Sequence, residues 1–295
     1  MKILITGATG FLGKPLVERL LSGGHEVTRI VRSSNHPGIL WDPDKREIKA
    51  DRLEGYDAVI HLAGESIQGR WTKAKKREIL SSRTDDTAFL VEVLSQLKQK
   101  PKIFVSASAI GYYGDRQDEH LSEDAQPGRG FLADVCKQWE AASKPLEKEG
   151  FRVSCIRTGL VLHPSGGALH ELLLPFKMGV GGPVGSGKQW WSWIDRDDLL
   201  RVYEFALTND AVHGPVNGVA PNPVINKVFV RTLGKVLSRP SFMPLPAFVV
   251  KLIFGEMGKE LLLSSQHVLS KKLEDTHFSF ERTELKPALE HLLWK

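Results

Sequence analysis

Short apolar runs and helical apolar patterns alternate along the first half of the chain. The runs at 2–6, 26–31, 58–62, 103–106 and 153–162 predict strands. Between them, apolar residues recur at helical spacing from Phe11 to Leu21 and across residues 73–98 and 131–149. Strands and helices in this order predict right-handed crossovers and a parallel sheet covered on both faces. The expected fold class is therefore α/β, a Rossmann-like doubly wound parallel sheet.

A glycine-rich turn, TGATGFLG, follows the first strand directly and opens the first helix. Gly7 permits the sharp turn, Gly10 lets the backbone approach a pyrophosphate, and Gly13 lets the helix pack on the strand. Free N–H groups at a helix N-terminus also favour a phosphate. In this context the turn predicts a dinucleotide site, and an ordinary strand-to-helix turn is the alternative. The predicted contact residues are Gly7, Thr9, Gly10, Phe11, Leu12 and Gly13.

The residue that follows the second strand indicates which dinucleotide binds. A site that prefers NAD places Asp or Glu about 20 residues after the turn, where it accepts hydrogen bonds from the adenosine ribose. This chain has Arg32 there, followed by Ser33. Because a guanidinium binds a 2′-phosphate through paired hydrogen bonds, the expected cofactor is NADP(H). A solvated arginine at the strand end is the alternative.

The alternation of strands and helices becomes less regular after residue 162. Residues 165–194 are rich in glycine and aromatic residues and contain one clear helical pattern, and two more patterns occur at 248–254 and 259–263. We predict an NADP-binding domain formed by residues 1–162, to which 194–220 return. Residues 163–193 and 221–295 then form a smaller substrate-side C-terminal lobe and extension, which ends in a polar tail.

Composition and charge restrict the classes of binding partner that we expect. The chain has 295 residues and a formal net charge of +5, with charges of both signs spread along it. The dense basic run at 73–77 has no nucleic-acid module beside it and is interpreted as a solvated helix face. No apolar run approaches the ~20 residues that span a bilayer, and the start lacks a secretory signal pattern. We expect a cytoplasmic monomer or homodimer with a small-molecule substrate and without a nucleic-acid partner, a membrane partner or a metal site.

Six segments carry a family resemblance, and they occur in the order TGATGFLG, DAVIHLAGES, FVSASAIGYYGD, IRTGLVL, GSGKQWWSWIDRDDL and NGVAPNPV. With these segments the chain resembles the extended or atypical short-chain dehydrogenase/reductases. It is most similar to the epimerase family proteins of the NAD-dependent epimerase/dehydratase group, whose small C-terminal extension it shares. The resemblance covers the whole chain.

The resemblance implies further cofactor contacts. By it, Leu62, Ala63 and Gly64 pass beside the adenine and its ribose. Arg83 stands where the family has an Asn that supports the nicotinamide side, and Glu78 holds or shares that contact; a surface ion pair is the alternative for both. The remaining residues assigned to the cofactor in this way are Ser106, Arg157 and Val161.

The resemblance also exposes a missing catalytic pair. In the family a Tyr acts as general acid or base, and a Lys four residues later lowers its pKa and holds the nicotinamide ribose. Aligning Trp139–Glu140 with the usual end of that helix puts Leu132 and Cys136 at these two positions. Cys136 is interpreted as a small packed residue, with a thiolate nucleophile as the alternative.

Two functions remain open at this point. The first is an NADP(H)-binding oxidoreductase or nucleotide-sugar-epimerase-like protein, in which Ser108, aligned with the family's catalytic Ser/Thr, or Tyr113 transfers the proton. The second is a catalytically silent NADPH sensor or binding scaffold. Aromatic residues beside the glycine-rich loop 179–187 either stack on a ligand, which favours the enzyme, or cover the cleft; they are Trp190, Trp191 and Trp193.

Overall fold

Eight strands form one central sheet in the computed structural model, which describes residues 1–294. Six further strands form three two-stranded sheets. In chain order, the strands of the described residues are β1 Lys2–Thr6, β2 Glu26–Val31, β3 Ile39–Asp42, β4 Glu47–Ile48, β5 Ala58–His61, β6 Ile103–Ala109, β7 His120–Leu121, β8 Arg152–Thr158, β9 Leu160–His163, β10 Trp190–Trp191, β11 Trp193–Asp195, β12 Gly214–Gly218, β13 Val224–Ile225 and β14 His267–Val268. The helices are α1 Gly13–Ser22, α2 Lys73–Gln96, α3 Phe131–Ser143, α4 Pro145–Lys148, α5 Gly167–Lys177, α6 Arg196–Thr208, α7 Asn226–Val236, α8 Ala247–Gly258, α9 Lys271–Asp275 and α10 Leu285–Leu293.

The strand order across the central sheet is β12-β8-β6-β5-β1-β2-β3-β4, and only β4 runs antiparallel to its neighbour. From β1 the chain first builds outward through β2 and β3, and then returns to the other side of β1 with β5. Ligands of doubly wound sheets bind where the strand order reverses, at the carboxyl ends of the strands. The α/β Rossmann-like fold is thus confirmed, and the crevice lies between β1 and β5.

The two faces of the sheet are buried against different helices. Alternate residues of β1 divide between them, since Ile3 and Ile5 pack in a cluster with α1 and α6. Leu4 packs in a second cluster with α2, which includes Phe89 and Leu90. Burial on both faces explains why the central strands are continuous apolar runs.

Two predicted elements are each divided in the structure. The predicted strand 153–162 breaks at Gly159, where an added Cβ would lie 2.6 Å from the carbonyl oxygen of Ser192. After this close crossing β9 leaves the central sheet and pairs with β11. The predicted helix 131–149 breaks before Pro145, which has no N–H to continue it, and gives α3 and α4.

The C-terminal segment is not the polar tail that the sequence suggested. Leu285, Ala288 and Leu289 of α10 are buried in a cluster with Phe229 of α7. The carboxylate of Asp198, in the first turn of α6, accepts hydrogen bonds from the backbone N–H groups of residues 281 and 282. The prediction was wrong because polar residues separate the few apolar positions that α10 buries. Within residues 1–294, no helix is both long and apolar enough to span a membrane.

Candidate cofactor and substrate site

The glycine turn after β1 forms a cradle that admits no side chains. Gly7 has φ +66°, and an added Cβ would lie 2.8 Å from the backbone carbon of Leu62. A Cβ on Gly13 would lie only 2.0 Å from the carbonyl oxygen of Gly7. The turn is closed by the Gly10 N–H, which donates to Gly7 O at 3.0 Å. Leu12, at the N-cap of α1, makes no side-chain hydrogen bond to the first turn, so this end of the helix faces the crevice uncapped.

A buried hydroxyl joins the glycine turn to the end of β5. The Thr6 Oγ1 atom accepts hydrogen bonds from the N–H groups of Leu62 and Ala63, both at 3.1 Å. With its acceptor sites filled, the Thr6 hydroxyl donates its proton to His61 Nδ1 at 2.8 Å. The other ring nitrogen, Nε2, then donates to Thr87 Oγ1 at 2.9 Å. This assignment requires neutral His61, because a charged ring has no acceptor nitrogen.

We expect the buried His61 to make the protein sensitive to acid. Burial, with smaller contributions from the charges of Arg32 and Arg83, lowers the pKa of His61 to about 3. The unfolded chain, with an ordinary histidine pKa, binds this proton first, so stability falls as the pH drops from about 6.5 towards 3. The contribution is about 1.4 kcal/mol per pH unit within that window.

Urea unfolding of the wild type and His61→Gln between pH 8 and pH 4 measures this contribution. The difference between the two free energies of unfolding at pH 8 gives the cost of the lost hydrogen bonds. As the pH falls below about 6.5, the free energy of unfolding should decrease less steeply in the variant than in the wild type. Parallel slopes for the two proteins would contradict a neutral buried His61.

Arg32, just after the end of β2, lies between Asp86 of α2 and the Trp41 ring. Its guanidinium forms an ion pair with Asp86 of α2 and lies 5.7 Å from the Trp41 ring centroid. Half of the side chain remains exposed, at 50%. Burial raises the pKa of Asp86, and the nearby Arg32 opposes this. Ser33 next to it is exposed and accepts a hydrogen bond from the Asn35 N–H.

Arg83 reaches from α2 towards the end of β5. Its side chain is half-buried and lies beside Gly64, and its Nη1 donates to the Ile79 carbonyl at 3.1 Å. Glu78, which was predicted to share this contact, is exposed and forms no ion pair within residues 1–294. Five positions on a helix correspond to a rotation of about 140°, so Glu78 and Arg83 do not lie on the same helix face.

The two positions of the missing Tyr and Lys are occupied by packed side chains. Leu132 is 8% exposed and Cys136 is 3% exposed, and both border Gly111. Burial and the neighbouring charge of Glu140 raise the pKa of the Cys136 thiol to about 12. A thiol with this pKa stays protonated at neutral pH, which supports the interpretation of Cys136 as a packed residue.

A buried ion pair lies behind these two positions. Glu140 is one turn beyond Cys136 on the same helix face, and it accepts two hydrogen bonds from Arg157, each of 2.8 Å. The same Glu140 Oε1 atom accepts the Ser108 hydroxyl at 2.8 Å. Burial lowers the pKa of Arg157, but the hydrogen bonds and charge of Glu140 outweigh it and raise the pKa. Ser108 is therefore hydrogen-bonded to a buried ion pair.

Arg157 and Tyr113 do not have the positions that the sequence suggested. Arg157 is only 2% exposed, and its Nη1 donates to the Tyr113 hydroxyl at 2.9 Å and to the Glu123 carbonyl at 3.1 Å. Tyr113 is fully buried and donates to Asn217 Oδ1 at 2.7 Å, and burial raises its pKa to about 12. Both groups point into the interior because β8 and the Ile110–Tyr113 turn pack against each other there. Both side chains are therefore enclosed by protein and are almost inaccessible to solvent.

A cleft of about 550 Å³ opens beside Leu132 and Gly111. Its other side is formed by the C-terminal extension, including Lys251 and Glu260. Both carboxylate oxygens of Glu260 accept backbone N–H groups at the start of α3, from Phe131 and from Leu132, each at 2.8 Å. A carboxylate at this end of a helix is stabilised by the helix dipole. The cleft is the size of a small-molecule site and is enclosed by both halves of the chain.

The tryptophans after the glycine-rich loop have mainly a structural role. Trp193 is fully buried and Trp191 is 4% exposed. Trp190 is half-buried and stacks on His267 with a centroid distance of 3.8 Å, while its Nε1 donates to Asp118 at 2.9 Å. Trp191 and Trp193 belong to a buried cluster with Phe229, and none of the three tryptophans lines the 550 Å³ cleft in the described part of the chain, so their positions support neither stacking on a ligand there nor covering that cleft.

Residues 3–218 match the NAD dependent epimerase/dehydratase family, and the chain belongs to this family. Residues 245–292 match a second family, described as a domain of unknown function, DUF1731. The predicted family is thereby confirmed. The match to the second family includes α8, α9 and most of α10, which are helices of the C-terminal extension.

Individual relatives agree with this assignment. The chain is 39% identical to the epimerase family protein SDR39U1 homolog, chloroplastic, of Arabidopsis thaliana, over 99% of this chain and 87% of the relative. The crystal structure of human epimerase family protein SDR39U1 (isoform 2) with NADPH superposes with a TM-score of 0.92 at 35% identity, and covers 100% of both chains. A nucleoside-diphosphate sugar epimerase from Corynebacterium glutamicum gives a TM-score of 0.83 at 37% identity over 99% of this chain and 58% of that one. Because the Arabidopsis relative is named chloroplastic, a cytoplasmic location for this chain stays a prediction.

Proposed function

We propose that this protein binds NADP(H) and is an oxidoreductase or epimerase-like enzyme for a small polar molecule. The observation that carries the proposal is the guanidinium of Arg32 at the end of β2, on the adenine side of a glycine cradle that has no room for side chains. The human relative of known structure was crystallised with NADPH, which supports the same cofactor here. The proposed contact residues are Gly7, Thr9, Gly10, Phe11, Leu12, Gly13, Arg32, Ser33, Leu62, Ala63, Gly64, Arg83, Ser106 and Val161.

The residues of the crevice fit the parts of this cofactor. The uncapped N-terminus of α1 suits the pyrophosphate, and Arg32 with the Ser33 hydroxyl suits the 2′-phosphate. When bound, the cofactor supplies hydride transfer. Phe11 helps to shape the crevice, because a Cβ added to Gly166 would lie 2.5 Å from its ring. The glycine turn and the turn after β9 therefore lie against each other.

Ser108 is the proton-transfer group that we propose. Leu132 cannot exchange a proton, and the high pKa of Cys136 keeps its thiol protonated. The Ser108 hydroxyl donates to Glu140, so that its oxygen can accept a substrate proton while its own proton moves towards the carboxylate. The 2.8 Å hydrogen bond between Ser108 Oγ and Glu140 Oε1 defines the second of these two transfers, from the serine to the carboxylate.

The preference for NADP over NAD should depend on Arg32. Calorimetric titration of the wild type should give tighter binding of NADPH than of NADH. In Arg32→Met, NADPH affinity should fall about tenfold, since one charge-assisted contact to the 2′-phosphate contributes about 1.5 kcal/mol, while NADH affinity changes little. Arg52→Met, on the exposed Ala50–Leu53 turn, is the matched control. Equal affinity of the wild type for the two cofactors would disprove the role of Arg32.

Cofactor-oxidation assays over panels of carbonyl compounds and nucleotide sugars test the catalytic part of the proposal. Turnover that is lost in Ser108→Ala and kept in Ser108→Thr would support Ser108 as the proton-transfer group. Tight NADPH binding without turnover on either panel would instead support the silent sensor.

A further inference from the structure

The absence of the family lysine leaves one part of the crevice without its usual cation. With Arg32 at the end of β2 and the glycine turn at the end of β1, the adenine half of a dinucleotide lies over β2. The nicotinamide half must then extend in the opposite direction, over the ends of β5 and β6, which places Gly64 nearer the nicotinamide half than the adenine side to which the resemblance assigned it. Cys136, at the position of the lysine, presents a protonated thiol there and no positive charge.

A different cation is present at this point. The guanidinium of Arg83 adjoins Gly64, where an added Cβ would lie 3.2 Å from Arg83 Cζ. The same carbon lies 5.1 Å from the ring centroid of Trp139, which is one turn beyond Cys136 on α3. Gly64 itself is exposed, immediately after the residues that end β5. Arg83 thus places its charge between the strand ends and the helix that lacks the lysine.

The hydrogen-bonding groups of Arg83 are largely unused. Only one of its N–H groups donates within residues 1–294, to the Ile79 carbonyl at 3.1 Å. The nearby Glu65 is already paired with Lys75, and no carboxylate of the described chain pairs with Arg83. Burial lowers the pKa of Arg83. A half-buried cation without a counter-charge is costly until a ligand supplies acceptors.

We propose that Arg83 replaces the missing lysine and binds the nicotinamide-side ribose of the cofactor through its free N–H groups. This inference rests on the proposed NADP(H) site. Arg83 acts across the crevice from α2, whereas the family lysine acts from α3. The loss of the lysine at position 136 of α3 is then compensated by Arg83 on α2, which supplies the cation that binds the ribose.

The test compares a whole cofactor with its adenine half. Calorimetry with NADPH and with adenosine 2′,5′-bisphosphate, which lacks the nicotinamide ribose, is carried out on the wild type, Arg83→Met and Arg32→Met. We expect Arg83→Met to weaken NADPH binding about 10- to 30-fold and to leave the half-molecule within about twofold, because only NADPH reaches Arg83. Arg32→Met should weaken both ligands.

Unfolding of the proteins without ligand separates ligand binding from a structural role. If Arg83 serves the ligand, Arg83→Met should be at least as stable as the wild type, since an unpaired half-buried charge is removed. Unchanged NADPH affinity, or an equal loss with both ligands, would overturn the assignment of Arg83. Arg83→Gln repeats the comparison if Arg83→Met does not fold. Failure of the wild type to bind NADPH would reject the cofactor site itself.

Discussion

Replacing Glu140 with alanine is expected to lower the free energy of unfolding by about 3–5 kcal/mol. The change removes both carboxylate oxygens from Arg157, whose side chain is only 3% exposed and cannot reach water. The guanidinium would keep its charge without a counter-ion, and Ser108 would lose its acceptor. Urea unfolding at pH 7, followed by circular dichroism, measures the loss.

The double variant Glu140→Met/Arg157→Met is the matched control. It removes both charges and fills the space with apolar side chains, so it should be clearly more stable than Glu140→Ala. If the double variant were less stable than the single one, the uncompensated charge would not be the cause of the loss. Glu149→Ala, at an exposed ion pair with Lys100, should change stability by less than about 1 kcal/mol.

Substituting Gly13 with alanine should weaken NADPH binding by about two orders of magnitude. The added methyl carbon would lie 2.0 Å from the Gly7 carbonyl oxygen and 2.8 Å from the Ala8 Cα. Since both obstacles are backbone atoms, the whole turn must move, and overpacking of this kind costs up to about 3 kcal/mol. A displaced turn also no longer presents the helix N-terminus to a pyrophosphate.

Gly23→Ala, at the other end of α1, is the control for the loss of a glycine. Gly23 has φ −77°, and an added Cβ there would meet its nearest neighbours at 3.4 Å, an ordinary contact. Its NADPH affinity should equal that of the wild type in the same titration. An affinity of Gly13→Ala equal to that of Gly23→Ala would show that the turn does not hold the cofactor.

The beginning of the fold was predictable because its signals are local. An apolar run of five residues, the glycines of TGATGFLG and the helical apolar spacing after them define β1 and α1 within the first 22 residues. The position of Arg32 at the end of β2 followed from the same unit. These elements can therefore be predicted without knowledge of contacts to distant parts of the chain.

The interior contacts could not be read in the same way. Arg157 faces the core because it binds Glu140, and only the folded structure shows that these two side chains are in contact. One signal was available, because Glu140 follows Leu132 and Cys136 at intervals of four residues, and so shares their helix face. An acid at that position, with an arginine on the next predicted strand, indicates a buried pair. Tyr113 gave no such signal, and its burial depends on Asn217, which lies 104 residues later.

The contact between Glu260 and α3 has a consequence for how the protein is made. The helix that carries Leu132 and Cys136 receives its N-terminal cap from a residue 129 positions further along the chain. During synthesis, the phosphate turn and the first strands emerge early, whereas the start of α3 stays uncapped until most of the polypeptide has left the ribosome. The part that contains the glycine turn can thus form before the cleft beside Leu132, which is completed only when the extension folds back onto α3.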